Sequence, residues 1–154
     1  SSLFENRYWL IVQDKQTNES KKLINFFQKL GSTVEIVNTE YHDKILAITS
    51  HLPHLIAYTI VGTASDLETD LKNDVIKFSA SGFRDFTRIA SSDPIMWRDV
   101  FLNNSDAVLE MLQRFNEDLS DLQKAIRKKD GDKLHSFFSR TRLIRKKIID
   151  AGQI

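Results

Sequence analysis

Two short apolar runs made of β-forming residues lie on either side of a helical pattern in the first part of the chain. Residues 8–12, YWLIV, are typical of a buried strand, and residues 34–37, VEIV, predict a second strand. Between them, apolar residues recur at helical spacing over 23–30. The pattern therefore predicts a β-α-β unit.

Local signals define the ends of this helix. Thr17 and Asn18 are candidate caps, and Gly31 is the expected stop. A β-α-β order with short connections is typical of the edge of an α/β sheet, and two strands alone do not make a stable sheet. We therefore expect residues 1–40 to be the last unit of a larger α/β domain.

From Tyr41 onward the pattern is helical. Apolar residues over 45–60 fill one broad helix face that ends near Gly62, and Pro53 is expected to kink this helix because it removes a backbone donor. Further helices are expected over 65–78, 83–90 and 94–103.

The clearest periodicity is a heptad-like seam whose apolar residues are spaced 4-3-4-3-4. Its members are Val108, Leu112, Phe115, Leu119, Leu122 and Ile126. Gly131 is expected to break this helix, and apolar residues over 134–148 predict another. The two helices form a predicted hairpin whose apolar stripes need a partner. Residues 41–154 are therefore expected to be a helical domain, and the fold class is mainly α.

Composition narrows the function classes. The chain has 154 residues, 41% of them apolar, and 22 Lys and Arg against 21 Asp and Glu, which argues against a strongly basic nucleic-acid binder. Ten basic residues over 124–147 are expected to be a solvated helical face. No apolar run approaches the roughly 18 residues of a membrane span. The absence of Cys excludes disulfides and fits a cytoplasmic protein, and the five glycines cannot form a dinucleotide-binding or P-loop fingerprint.

Three histidines lie close together in the sequence, and two of them are three residues apart. His51 and His54 are expected to share one helix face, near His42. Metal ligation is a weaker hypothesis because no third ligand follows at a suitable spacing. A core histidine and a histidine that bonds a polar ligand both remain open.

A second constellation is residues 82–88, GFRDFTR. A helix that begins after Gly82 offers free amides to an anion, and Arg84 and Arg88 could add a fork that suits a carboxylate. Asp85 could position one of these arginines. The alternative is an ion pair within the helix. In the third constellation, residues 92–97, Asp93-Pro94 predicts a helix start, and Trp97 is typical of a core or interface anchor.

Together, these segments resemble one family. SHLPH at 50–54, GFRDFTRIA at 82–90 and SDPIMW at 92–97 resemble the helical C-terminal domain of prephenate/arogenate (cyclohexadienyl) dehydrogenases, in that family's order and spacing. The resemblance covers residues 41 to the end, and residues 8–40 are similar to the closing strands of the family's Rossmann-type nucleotide-binding domain. It implies a dimerisation domain like the C-terminal domain of 6-phosphogluconate dehydrogenase.

The resemblance implies NAD- or NADP-dependent oxidative decarboxylation of prephenate or arogenate in tyrosine biosynthesis, by a cytoplasmic homodimer without nucleic-acid or membrane partners. It assigns Arg88 to a substrate carboxylate and Trp97 to the boundary between pocket and subunit. It also places further residues in the substrate site, namely His51, His54, Ser81, Gly82 and Asp85. Many members have a second glycine where this chain has Ser81.

The family's catalytic histidine motif and glycine fingerprint are both missing from these residues. We therefore assign no catalytic residue and no metal to this chain, and expect the cofactor to be bound mainly by an upstream domain. The chain alone is expected not to turn over substrate. The alternative is a non-catalytic helical interaction or regulatory module that reuses the fold.

Overall fold

A computed structural model of the chain describes residues 3–67 and 69–152 and shows a mainly helical protein with a small parallel sheet. Strand β1 is Tyr8–Val12, helix α1 is Asn18–Lys29 and strand β2 is Thr33–Val37. The strands pair in parallel, with Tyr8 opposite Thr33 and Val12 opposite Val37. The predicted β-α-β unit is confirmed.

Both ends of α1 are formed as the local signals predict. Thr17 is the cap: its hydroxyl accepts from the Ser20 amide at 3.1 Å, and the Thr17 amide donates to the Ser20 hydroxyl at 2.9 Å. Gly31 follows the helix with a φ of +88°, and a Cβ at this position would lie 3.1 Å from Glu5 Cγ. Both the left-handed backbone and the close approach therefore favour glycine.

The prediction that β1 is a buried strand is wrong for this chain. Ile11 is its one buried residue, and Tyr8 and Val12 are 55% and 40% exposed. Trp9 stacks on Phe27 of α1 with 3.7 Å between ring centroids, yet stays 37% exposed. Two strands and one helix provide too few neighbours to cover both faces of a strand.

The rest of the chain is helical. The successive α-helices are α2 Thr39–Leu46, α3 Leu52–Ser65, α4 Thr69–Phe78, α5 Ser81–Thr87, α6 Pro94–Asn103, α7 Ser105–Arg127 and α8 Gly131–Asp150. A π-helical turn, Ala47–His51, joins α2 to α3, and a 3-10 turn, Arg88–Ser91, follows α5. The expectation of a continuous helix over 65–78 falls partly on residue 68, which lies outside the described residues.

The interruption expected at Pro53 takes the form of a π-helical turn. The Leu52 amide donates to the Ala47 carbonyl, five residues back, so the helix widens immediately before Pro53, which has no N–H to continue the hydrogen-bond pattern. Asp93 caps α6 as predicted, because its carboxylate accepts from the amides of Ile95 and Met96 at 2.7 and 3.0 Å.

The break between α7 and α8 comes before Gly131, which is the first residue of α8. Lys129 has a φ of 55°, and the Asp130 carboxylate caps α8 by accepting from the Lys133 amide at 2.9 Å. The prediction that Gly131 itself ends α7 is therefore wrong, although the two long helices predicted on either side of this break are confirmed.

By compactness the chain divides into two units. One consists of Ser1–Thr39 with Gln113–Ile154, and the other is Glu40–Leu112. In the second unit, α4, α5 and the 3-10 turn all pack against α3. The domain boundary predicted between residues 40 and 41 stays a prediction.

The 27 residues of Thr39–Ser65 form a helical stretch that is long and apolar enough to cross a bilayer by length and composition only. This is weak evidence for a span because a core helix of a soluble protein meets the same criterion. The expectation that the chain has no membrane partner stays a prediction.

Candidate functional site

The candidate site is centred on a buried tryptophan in the unit formed by Glu40–Leu112. Trp97 on α6 is 7% exposed, and the His54 ring stacks on it with 3.7 Å between centroids and 22° between planes. The His51 ring lies nearly perpendicular to the same indole, with 6.1 Å between centroids and 78° between planes. The structure thus brings together three of the residues that the sequence assigns to the substrate site.

His54 is held by the backbone of the preceding turn. Its Nδ1 lies 2.9 Å from the Ser50 carbonyl oxygen. Because a carbonyl oxygen only accepts, Nδ1 is the protonated nitrogen, and the neutral ring then has Nε2 as an acceptor. His54 can therefore accept a hydrogen bond from a ligand hydroxyl.

His51, the last residue of the π-helical turn, is buried. Its two ring nitrogens have the donor and acceptor roles reversed relative to those of His54. The side-chain amide nitrogen of Asn104 lies 3.1 Å from its Nδ1 and 2.9 Å from the Asp43 carbonyl oxygen. Since that carbonyl must accept, the amide NH2 points toward both atoms, and Nδ1 of His51 accepts as well. The proton of neutral His51 is then on Nε2.

Electrostatics favour the neutral form of His51. Burial is the largest cause that lowers its pKa, followed by the nearby His42, while Asp43 raises it and His54 lowers it slightly further. His42 itself lies with its Nδ1 3.0 Å from the Asp43 carboxylate. A neutral imidazole suits hydrogen bonding to a polar ligand.

This lowered pKa has a consequence for stability. Above the ordinary value of 6.5, His51 is neutral in both the folded and the unfolded chain. As the pH falls below that value the unfolded chain binds the proton first, so we expect the free energy of unfolding to decrease until the pH passes the folded pKa. Urea titrations between neutral pH and about pH 5 measure this slope.

The matched variants are His51→Gln and His135→Gln, because His135 is an exposed histidine on α8. We expect the slope to become shallower in His51→Gln and to persist in His135→Gln. Equal slopes in wild type and His51→Gln would contradict the assignment.

The arginine motif occupies α5 and the following 3-10 turn, both packed on α3, the helix that contains His54. Arg84, Asp85 and Arg88 are all exposed. Helix α5 begins at Ser81, earlier than predicted, and an added Cβ at Gly82 would meet nothing within 4 Å. The backbone next to Gly82 is therefore open to a ligand.

The ion pair suggested between Asp85 and an arginine is not formed. Within residues 3–67 and 69–152, neither Asp85 nor Arg88 makes an ion pair with another side chain. The helix ends at Thr87, so Arg88 belongs to the 3-10 turn and the α-helical spacing behind the suggestion is lost. The guanidinium of Arg88 is free to meet a carboxylate.

Two residues that position this site were missed in the sequence. Tyr58, one helical turn after His54, donates from its hydroxyl to the Ser92 carbonyl at 2.7 Å and ties the end of the 3-10 turn to α3. Asn104 bonds His51 from the end of α6. The spacing of one helical turn between His54 and Tyr58 could have indicated Tyr58 from the sequence. No local pattern indicated Asn104, because its contact joins residues 53 positions apart.

No metal site is formed among residues 3–67 and 69–152, where no three His, Asp or Glu side chains gather around a point that could hold an ion. His42, His51 and His54 are therefore described by their hydrogen bonds.

Comparison with known proteins decides the family. A model for the prephenate dehydrogenase dimerization domain matches residues 38–140. The chain belongs to the prephenate dehydrogenase family. This match includes all three sequence motifs and the site around Trp97.

Individual relatives agree. The chain is 35% identical over 147 residues to cyclohexadienyl dehydrogenase of Zymomonas mobilis, covering 94% of this chain and 50% of the relative. It is 34% identical to prephenate dehydrogenase of Lactococcus lactis, covering 94% of this chain and 39% of the relative. The chain spans half or less of the length of these curated relatives.

Solved structures support the fold. Prephenate dehydrogenase from Aquifex aeolicus, crystallised with hydroxyphenyl propionate and NAD+, superimposes with a TM-score of 0.84 at 32% identity, covering 94% of this chain and 51% of that one. Synechocystis arogenate dehydrogenase also gives a TM-score of 0.84, at 23% identity and covering 96% of this chain and 54% of that one, and supports the fold alone. The mainly α fold class is confirmed.

Proposed function

We propose that this chain provides the substrate-binding and dimerisation part of a cytoplasmic prephenate or arogenate dehydrogenase. The observation that supports it most is the placement of the motif residues: His51 and His54 meet Trp97, and the turn with Arg88 packs on the helix of His54. The proposed domains are residues 1–40, the edge of the nucleotide-binding domain, and residues 41–154, the helical domain.

In this proposal Arg88 binds a substrate carboxylate through two charge-assisted hydrogen bonds. His54 accepts from, and His51 donates to, polar groups of the substrate, while Trp97 holds both rings in place. Asp85, Ser81 and Gly82 border the carboxylate. NAD or NADP, bound mainly by the nucleotide-binding domain, supplies the hydride acceptor for oxidative decarboxylation.

The 154-residue chain tests this proposal directly. In the Trp9→Phe variant Trp97 is the one remaining tryptophan, so its fluorescence reports the site. We expect prephenate to quench this fluorescence saturably, and expect no NADH when prephenate and NAD+ are both added. Fluorescence titration and absorbance measure the two results.

Adding Arg88→Ala to the Trp9→Phe background should abolish the quenching, whereas adding Arg98→Ala should not, because Arg98 binds Asp99 on the exposed side of α6. Absence of binding would favour the non-catalytic interaction module. Turnover by the chain alone would contradict the assignment of catalysis to another domain.

The proposed homodimer uses the α7–α8 hairpin. Leu119 and Ile126 of the heptad seam are 51% and 64% exposed, and with Leu122, Leu134 and Phe138 they line a groove of about 540 Å³. An exposed apolar groove of this size is typical of a surface buried by another protein chain. The family model describes a dimerization domain, which also supports this.

We expect Leu119→Glu to convert the dimer to a monomer, because a carboxylate buried without a partner opposes association strongly. Sedimentation velocity at micromolar concentration measures the change. Leu109→Glu is the control, since Leu109 is an equally exposed leucine of α7 outside the seam and the groove. A dimer that survives Leu119→Glu would exclude the seam as the interface.

A further inference from the structure

Asn104 lies outside the three sequence motifs, yet both its backbone and its side chain are held by hydrogen bonds. Its backbone N–H donates to the Val100 carbonyl at 3.1 Å, and its own carbonyl accepts from the Val108 amide at 3.1 Å. The residue therefore joins the end of α6 to the start of α7, and its half-buried side chain has little freedom.

Both hydrogens of the Asn104 amide nitrogen are used. One goes to the Asp43 carbonyl on α2 and the other to Nδ1 of His51. A flipped amide would turn its oxygen toward the Asp43 carbonyl, and two acceptors would then face each other. The carbonyl thus determines the amide orientation, and the amide determines which nitrogen of neutral His51 has the proton.

We propose that Asn104 is a positioning residue that holds His51 as the neutral Nε2–H tautomer, so that the ring offers a hydrogen-bond donor to an acceptor group of the substrate, such as a carboxylate. The proposal rests on the substrate-binding function proposed above. Within the described part of the chain, the ring hydrogen-bonds through Nδ1 alone, which leaves the Nε2–H for a ligand.

The two histidines of the site then have different roles toward a ligand. Ser50 leaves His54 with an acceptor at Nε2, while Asn104 leaves His51 with a donor at Nε2. Both rings contact Trp97. The titratable groups that act on His51 are His42 and Asp43 on α2 and His54 on α3.

Long-range 1H–15N spectra of the histidine rings in the 154-residue chain test the tautomer, with His51 assigned from His51→Gln. In the wild type we expect His51 to have a bare Nδ1 and a protonated Nε2. In Asn104→Asp the new carboxylate can only accept, so the proton should move to Nδ1 or the ring should become an imidazolium. Asn103→Ala is the matched control, because Asn103 bonds the Asp99 carbonyl instead.

A protonated Nδ1 in the neutral wild-type ring would overturn the proposal whether or not the variant folds. An unchanged tautomer in a folded Asn104→Asp chain, with the His54 and His135 signals in place, would also overturn it.

The link to the substrate is tested in the complete dehydrogenase. There, at a pH at which the ring spectra show His51 of Asn104→Asp to be neutral, we expect this variant to raise the KM for prephenate about tenfold and Asn103→Ala to leave it unchanged, since the Nε2–H bond to a charged group is lost. If Arg88→Ala raises this KM and Asn104→Asp does not, the role of Asn104 is overturned and the proposed function stands. If neither raises it, the proposed function is overturned.

Discussion

Replacing Arg88 by alanine in the complete dehydrogenase is expected to raise the KM for prephenate roughly a hundredfold, because two charge-assisted hydrogen bonds worth about 3 kcal/mol together are lost. The side chain is exposed and forms no ion pair within residues 3–67 and 69–152, so its removal leaves no buried group unpaired. The KM for the cofactor should stay within about twofold of the wild-type value.

Steady-state kinetics with each substrate varied in turn separate these effects. Arg88→Lys keeps the charge but loses the planar fork, so an intermediate KM is expected. Arg98→Ala is the arginine control, since Arg98 already binds the neighbouring Asp99 at 2.7 Å. Equal rises in the KM of prephenate and of the cofactor would show that Arg88 acts on the fold instead of the substrate.

Truncation of Trp97 to alanine should have the largest effect on stability, about 3–5 kcal/mol of unfolding free energy. The indole is buried and contacts the rings of His51, His54 and Phe101, so its loss leaves a cavity where three aromatic neighbours meet. Urea denaturation followed by circular dichroism measures the loss.

Two variants show where this stability comes from. Trp97→Phe should cost much less, because a ring remains and the indole Nε1 has no hydrogen-bond partner among the described residues. Trp9→Ala should also cost less, although Trp9 stacks on Phe27 at the same 3.7 Å, since Trp9 is 37% exposed. Equal losses for both tryptophans would show that burial does not set the difference.

Local signals were sufficient for most of the fold. The Thr17 cap, the Asp93-Pro94 helix start and the long helix with the heptad spacing all depend on residues within a few positions of one another, and the structure confirms each. The β1 strand was also found, but its burial was not, because burial depends on neighbours that the strand's own sequence does not specify.

In the candidate site, too, local features could be predicted from the sequence and contacts between distant residues could not. The spacing of His51 and His54 correctly predicted that they share a face, and both contact Trp97. The suggested pair of Asp85 with an arginine was not formed because the helix changes to a 3-10 turn at Arg88. Asn104 could not be found in advance, since its partners lie 53 and 61 positions away.

The π-helical turn at Ala47–His51 makes this protein tolerant of a length change at one point of a long helical stretch. A π turn accommodates one residue more than an α turn, so deleting a single residue there would restore a regular α-helix. The helices on either side would keep nearly the same relative rotation, whereas the same deletion in a regular helix would rotate them by about 100°. A deletion between Asp43 and Ala47 would therefore turn Asp43 away from Asn104, and the His51 site would lose one of its supports without any substitution in it.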